Sequence, residues 1–525
     1  MPSSDVTLST PTRTLEHTAA QPRAKDPRWL ILVVVSIAQL MVVLDATVVN
    51  IALPSAQADL GFGSDQRQWI VTAYALAFGS LLLLGGRIGD MFGRKRVFLV
   101  GLAAFAVASA IGGAAPSFGV LVTARALQGV AGAMLAPAAL STLVTTFRDP
   151  RDRGRAFGVF GTVAVAGGAV GLILGGVLTQ YLSWRWAMYV NVVFAVAAAA
   201  GALIWMTHER PTTRPRIDVV GTVLASAGLF ALVFGFSRAE SDGWSALTTV
   251  LSLVAGVALL AVFMVVEQRI DAPLLPMRVV GDRARGTAFA AVGLAGIAMF
   301  GVFLFLTYYL QAVKGFSPVS SGFAFLPMIA CVMISSNTSN IVTLPRFGPR
   351  PVITIGMLLG CAALAYLSRI DVHSSYAAHV LPSLIVMGFA MGMVMAPAMN
   401  TATAGVQPAD SGVAAALVST MQQVGGAIGT AVLSTIVATA TTNYAASRPP
   451  GTANIAHNAA THGFSVAFAV SSALFALGAV MGASLFPSKT RIAELRAAAS
   501  APTGTNARVE SPDKQAMADT VFIEV

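Results

Sequence analysis

The apolar residues of this chain gather into long runs, each separated from the next by a short polar or Gly/Pro-containing break. A helix needs about 20 residues to cross a hydrocarbon core of ~30 Å. Runs of that order lie near 29–53, 66–86, 97–115, 118–146, 156–180, 186–206 and 217–236, and again near 246–266, 287–312, 321–343, 351–368, 379–400, 412–438 and 464–486. The pattern predicts an all-α polytopic membrane protein with fourteen transmembrane spans, the third and fourth divided at Pro116.

Composition agrees with that solvent. Hydrophobic residues make up 56% of the 525 positions and charged ones 11%, with a mean hydropathy of +0.74, more apolar side chain than a water-soluble domain could bury. The net charge of +10 points to no nucleic acid, because its source is distributed by topology. With the N-terminus in the cytoplasm, 26 of the 33 Lys and Arg residues fall in inward-facing segments, so both termini are expected to be cytoplasmic. Only Arg67, Arg185, Arg238, Lys314, Arg369 and Arg448 face outward, and Arg125 lies within a span. Cys331 and Cys361 both sit in apolar runs and imply helix packing rather than a disulfide framework. The first apolar run carries no small-residue cleavage site, so no removable signal peptide is expected.

Two internal matches divide the chain. FGRKRV (92–97) after the second span resembles FGPRPV (347–352) after the tenth, and GGAVG (167–171) in the fifth resembles GGAIG (425–429) in the thirteenth. Their offsets, 255 and 258, pair spans one to six with nine to fourteen and leave two spans inserted between the halves. The expected organisation is a tail (1–28), a six-helix bundle (29–206), two inserted helices with linkers (207–286), a second six-helix bundle (287–486) and a second tail (487–525).

Against this background the polar residues within spans stand out. Asp45 lies in VVVSIAQLMVVLDATVVNIALP (33–54), where a carboxylate costs roughly +3 kcal/mol and is expected to face a cavity or a partner. It lies eight residues before Leu53 at the outer end of span one, a depth of about 12 Å at 1.5 Å per residue. Arg125 lies seven residues past Phe118, about 10 Å deep from the same side. Two opposite charges at one depth can neutralise each other, and varying their separation would load and unload a proton on the acid, with a static ion pair as the alternative.

GGRIGDMFGRKR (85–96) packs Asp90 and four cations into the turn between spans two and three. A topology signal would need only the cations, whereas Gly86 and Gly93 allow a tight turn and Asp90 can pair with Arg94 or with the positive end of another helix, the start of span thirteen near Asp410, Ser411 and Gly412. In span five, Gly167, Gly171, Gly175 and Gly176 allow a neighbouring backbone to approach closely. Candidate substrate contacts are Asn50, Tyr74, Phe78, Gln128, Tyr308, Asn337, Asn340, Asn400 and Gln422, which together suggest a large, mostly apolar cavity with few fixed polar contacts. Taken singly, each of these residues is more often a packing or interfacial-belt residue than a ligand contact. Spans nine to fourteen carry no Asp, Glu, Lys or Arg away from their ends. No phosphate-binding G-x-x-x-x-G-K-[ST] loop, catalytic triad or metal-ligand set is visible, so neither an ATP-driven pump nor an enzyme is expected, and no metal or cofactor is called for.

These motifs carry a resemblance. The 85–96 turn resembles the pattern G-x-L-A-D-R-x-G-R-R/K of the major facilitator superfamily, with Gly86, Asp90, Gly93, Arg94 and Lys95 matching, Met91 in place of an arginine and Gly89 in place of an alanine. LVTARALQGVAGA (121–133) is similar to the superfamily's span-four motif, with Arg125, Gln128 and Gly129 in place. LDATVVNIALP (44–54) resembles the first-span signature of the fourteen-span drug:proton antiporter branch, whereas Leu172 stands where the branch's span-five motif carries proline. The resemblance implies a multidrug efflux transporter of the bacterial inner membrane, acting as a monomer, which exchanges small amphipathic compounds for protons through Asp45 and Arg125 and draws on the proton gradient alone. A proton-coupled importer on the same scaffold, and a non-transporting membrane receptor, are the alternatives.

Overall fold

The computed structural model describes residues 27–486 apart from 64–65, 148, 208–217, 271–272, 276, 404–405, 407–410 and 450–453. Among the described residues there is no strand. Spans one to eight are Pro27–Leu60, Gln68–Phe92, Arg94–Gly113, Phe118–Thr146, Pro150–Tyr181, Trp186–Trp205, Val219–Asp242 and Leu247–Glu267. After a short helix, Met277–Val280, come span nine (Arg283–Tyr308, prolonged by the π-turn Tyr309–Val313) and span ten (Pro318–Thr338, prolonged through Ser339–Thr343 and Leu344–Phe347). Span eleven is Pro349–Leu367, span twelve Tyr376–Val380 with Leu381–Thr403, span thirteen Ser411–Ala446 and span fourteen Ile455–Leu485. Thirteen of these are individually long and apolar enough to cross a membrane, and span two contributes a shorter apolar stretch, Gln68–Leu82.

Several helices outrun the apolar runs that predict them. Span one continues through Pro54 to Leu60, and span fourteen starts at Ile455 rather than near 464. Hydropathy marks where a helix is in hydrocarbon, but the backbone must stay hydrogen-bonded beyond that point, so helices run on into the polar zone. A proline leaves carbonyls of the preceding turn without their usual donor. Near Pro54, Gln311 Nε2 of span nine reaches across and donates to Ile51 O at 3.1 Å.

The internal repeat is a structural one. Gly93 links spans two and three at φ +91°, and Gly348 links spans ten and eleven at φ +80°. Both sit in a left-handed region where a Cβ would be strained, which explains why the matching hexapeptides keep glycine there. Span five packs on span one as span thirteen packs on span nine, and spans three, four and six repeat their mutual contacts in eleven, twelve and fourteen. The halves meet where span two lies along span thirteen and span five along span ten. Span seven of the inserted hairpin covers the first of these seams: Val233 shares a buried cluster with Ala75 and Leu76 of span two and with Ala427 and Ala431 of span thirteen. Thr435 Oγ1 also donates to Phe236 O at 3.2 Å.

The two ends of the bundle differ. At the far end, where span one finishes, the halves are joined by Tyr308 Oη donating to Gln57 Oε1 (2.5 Å), by Gln311 to Ile51 and by Val319 N to Gln180 Oε1 (3.3 Å). Arg67 adds a cation stacked 4.3 Å from the Tyr308 ring centroid. At the terminal end, where span one begins, the core of Val97, Phe98, Leu102, Leu143 and Phe147 belongs to the first half, with Ala416 of span thirteen packed at its edge.

Candidate functional site

Asp45 sits mid-way along span one and is fully buried, so its charge must be met by neighbouring helices. Span four supplies Arg125 and, three residues on and hence on the same face, Gln128. Arg125 Nη1 donates to Asp45 Oδ2 at 2.6 Å and to Gln128 Oε1 at 2.8 Å. Gln128 Nε2 donates to Asp45 Oδ1 at 3.0 Å and to Ser109 Oγ of span three at 2.7 Å. Asn191 Nδ2 of span six donates to the same Oδ1 at 2.7 Å. Span two completes the shell, since Arg125 Nε donates to Ile70 O at 3.1 Å and its guanidinium lies 4.5 Å from the Tyr74 ring centroid. Both carboxylate oxygens and the guanidinium are held by groups from five helices of the first half, in a medium where each charge-assisted bond is strong and each missing one costly. Two polar atoms of this shell, Asn191 Oδ1 and Tyr74 Oη, are buried with no hydrogen-bond partner.

The structure therefore brings Asp45, Arg125, Gln128 and Tyr74 together, and places Gln128 and Tyr74 in the ion cluster rather than in an open cavity. Phe78 stacks on Tyr74 with centroids 5.7 Å apart. Tyr308 belongs to the far-end seam. Asn50 is half-buried and donates to Ala46 O within its own helix at 2.7 Å. Asn400 Nδ2 donates to Asn340 Oδ1 at 2.8 Å, Asn337 and Asn340 are exposed, and Gln422 is half-buried. Asn191 and Ser109 were not singled out by sequence: each is a single small polar residue in an apolar run, and only helix rotation shows that they point inward.

In the 85–96 turn, Lys95 Nζ donates to Leu203 O and Met206 O (3.0 and 2.6 Å), so it caps the end of span six. Arg94 and Lys95 line a small polar pocket with Thr142, Thr145 and Thr146. Gly86 lies against Pro137 of span four, 3.6 Å from a notional Cβ. The side chains of Asp90 and Ser411, the surroundings of Gly412 and all of Asp410 lie outside what is described. The span-five glycines each have a partner. A Cβ on Gly167 would meet Leu40 Cδ1 at 3.0 Å, on Gly171 Thr47 Oγ1 at 1.9 Å and on Gly175 Val48 Cα at 2.9 Å, all on span one. On Gly176 it would meet Pro318 O and Val319 Cα of the other half, both at 2.7 Å. Leu172 is fully buried, and its carbonyl lies 2.3 Å from where a Cβ on Gly322 of span ten would be. Among the described residues no group of three or more His, Cys, Asp or Glu is gathered to hold a metal ion.

Two like six-helix halves, an inserted hairpin and a buried ion cluster within one half define a membrane transporter rather than an enzyme. The chain belongs to the Major Facilitator Superfamily, whose family model matches residues 35–430. It is 48% identical to the puromycin resistance protein pur8 of Streptomyces alboniger, over 90% of this chain and 95% of that one. It is 40% identical to the cephamycin export protein CmcT of Amycolatopsis lactamdurans, over 78% of this chain and 85% of that one. In fold it is similar to the xylose transporter XylE from E. coli in its inward-open conformation, with a TM-score of 0.57 at 13% identity, covering 90% of this chain and 99% of that one. The protein is a multi-pass transporter of the bacterial plasma membrane.

Proposed function

We propose that the protein exports amphipathic organic compounds, antibiotics among them, in exchange for protons, with Asp45 as the proton carrier and both termini in the cytoplasm. The Asp45 cluster is the observation that carries this reading, and the names of the resistance and export relatives support its direction. In the arrangement described, both carboxylate oxygens of Asp45 accept hydrogen bonds, Oδ2 from Arg125 and Oδ1 from Gln128 and Asn191. A proton arriving on Oδ1 turns that acceptor into a donor. Asn191 Oδ1, buried without a donor, can then accept after its amide rotates, so the shell accommodates both states of the acid. The neutral acid releases Arg125, which keeps Gln128 Oε1, Ile70 O and the Tyr74 ring.

The far-end seam would open while Asp45 takes its proton from outside and substrate leaves. The terminal end would then present Asp45 to the cytoplasm for release, the halves rocking about the seams between spans two and thirteen and five and ten. Asp90 would latch the cytoplasmic closure. A membrane potential supplies ~2.3 kcal/mol per charge per 100 mV, so one proton per cycle gives modest concentrating power. The halves and hairpin form a single monomeric unit. Puromycin is the first compound to test. In proteoliposomes with a pH gradient, its addition should draw protons across the membrane and its accumulation should collapse on adding a protonophore; substrate movement with no proton flux overturns the antiport.

A further inference from the structure

Away from the ion cluster, a second pair of buried acids meets at the terminal end of the inserted hairpin. Asp218 precedes span seven and Glu267 ends span eight; they are 7% and 2% exposed. Each is half satisfied. Asp218 Oδ1 accepts from Gly221 N at 2.7 Å, and Glu267 Oε2 accepts from Leu275 N at 2.9 Å. The remaining oxygens, Asp218 Oδ2 and Glu267 Oε1, are buried with no donor. They converge: a Cβ on Gly221 would lie 2.1 Å from the first and 2.5 Å from the second, and the two side chains are within hydrogen-bonding reach of each other. Glycine at 221 is thus what gives the carboxyls room to face one another.

Among the described residues no cation forms an ion pair with either acid. Arg87 of span two donates to Pro273 O at 3.0 Å, and Arg269 is exposed. Arg214, Arg216, Asp271 and the side chain of Arg278 lie outside the described residues. Two carboxylates that face each other without a cation cannot both stay charged; one shared proton makes one of them the donor that the other lacks.

We infer that Asp218 and Glu267 form a second proton-binding site, in which one proton shared between Asp218 Oδ2 and Glu267 Oε1 locks the segment Pro273–Leu275 to the hairpin. That segment also accepts from Arg87, next to Gly86 of the gate turn. The proton therefore ties the inserted hairpin to the end of span two. With the proton bound, Glu267 holds Leu275 N. Rising pH removes it, the carboxylates repel, and the segment is freed.

The test is hydrogen–deuterium exchange at Leu274 and Leu275 in the full chain in nanodiscs, corrected for intrinsic exchange and followed against pH. The parent should exchange ~10-fold faster at high pH than at low, the factor expected when one buried hydrogen bond is lost. Glu267→Gln, whose amide can donate to Asp218 Oδ2 while its oxygen accepts from Leu275 N, should stay protected throughout. Asp218→Asn, which keeps the bond to Gly221 N, should do the same, and Glu267→Ala should exchange fast throughout. Parent protection that does not vary with pH, or a pH step that survives in Glu267→Gln, overturns the assignment. So does protection restored at high pH by millimolar Mg²⁺ or Ca²⁺, which would make the pair a metal site. The readout does not involve transport, so the result stands apart from the role of Asp45.

Discussion

Spans one and nine occupy matching places in the two halves, yet the internal offsets of 255 and 258 set Asp45 of one against Phe300–Phe303 of the other. On the first side spans two, four and six hold one ion pair through a carbonyl, a ring and amide donors, and Ser109 of span three accepts from Gln128 behind it. On the second, Phe303 packs at a tilt against Phe325 with centroids 5.2 Å apart and Phe300 packs over Gly426. Polar contacts inside the spans of the second half include neutral ones such as Ser335 Oγ to Phe389 O (2.7 Å) and Asn400 to Asn340, while charged groups such as Lys314 and Asp371 bond at the span ends. One helical plan thus carries two interiors. A buried ion pair fixes its surroundings, because losing one partner strands a charge, whereas neutral and dispersive contacts can regroup at small cost. Under the proposed antiport, the first half would hold the proton and the second would regroup around varied apolar guests.

The comparison breaks most directly at its charged side. Asp45→Asn is nearly isosteric and needs no counter-ion, so folded yield should survive while pH-gradient-driven transport of puromycin falls ~100-fold or more, the range for loss of an essential acid–base group. Arg125→Ala should lower folded yield as well, since stranding a buried carboxylate costs about 3–5 kcal/mol. In Asp45→Asn combined with Arg125→Gln the yield should recover and the transport should not. A double variant that pumps like the parent would show a static pair, and the two halves would then differ in packing only.

Asp90→Asn asks whether the gate turn of the first half does more than its counterpart at 347–352, which has no acid. Transport should be lost at equal protein level while substrate binding stays within about 3-fold, a change of under 1 kcal/mol. Normal transport would reduce the turn to a topology signal.

A smaller effect sharpens the contrast at the seam. Gly176→Val would press on Pro318 and Val319 of the other half, an overpacking cost of about 1–3 kcal/mol that falls on closure of the far end rather than on either bundle. Cross-linking of a Gln57→Cys, Tyr308→Cys pair should drop in this background by ~10-fold with folded yield unchanged; undiminished cross-linking would mean that Gly176 packs without governing closure.

How much of this was legible along the chain depends on what each feature responds to. Desolvation acts residue by residue, so hydropathy alone located the fourteen spans. Rise per residue is fixed, so equal depth of Asp45 and Arg125 followed from counting to the span ends. Positive φ tolerates few residues but glycine, so Gly93 and Gly348 advertised their turns. Depth along a helix is local information, but rotation about its axis and choice of neighbour are set by packing against other helices. That is why Asn191 and Ser109 do not stand out in apolar runs, and why the chain alone does not show Tyr74 and Gln128 beside the ion pair or Tyr308 against Gln57. Asp218 and Glu267, 49 positions apart at opposite ends of a hairpin, become one site only when spans seven and eight fold back on each other. The sequence by itself determined the solvent, the number of crossings, the depth of the charges and the repeat. Tertiary structure decided which faces meet, because the energy of a polar group in hydrocarbon rests on the partner that folding brings to it.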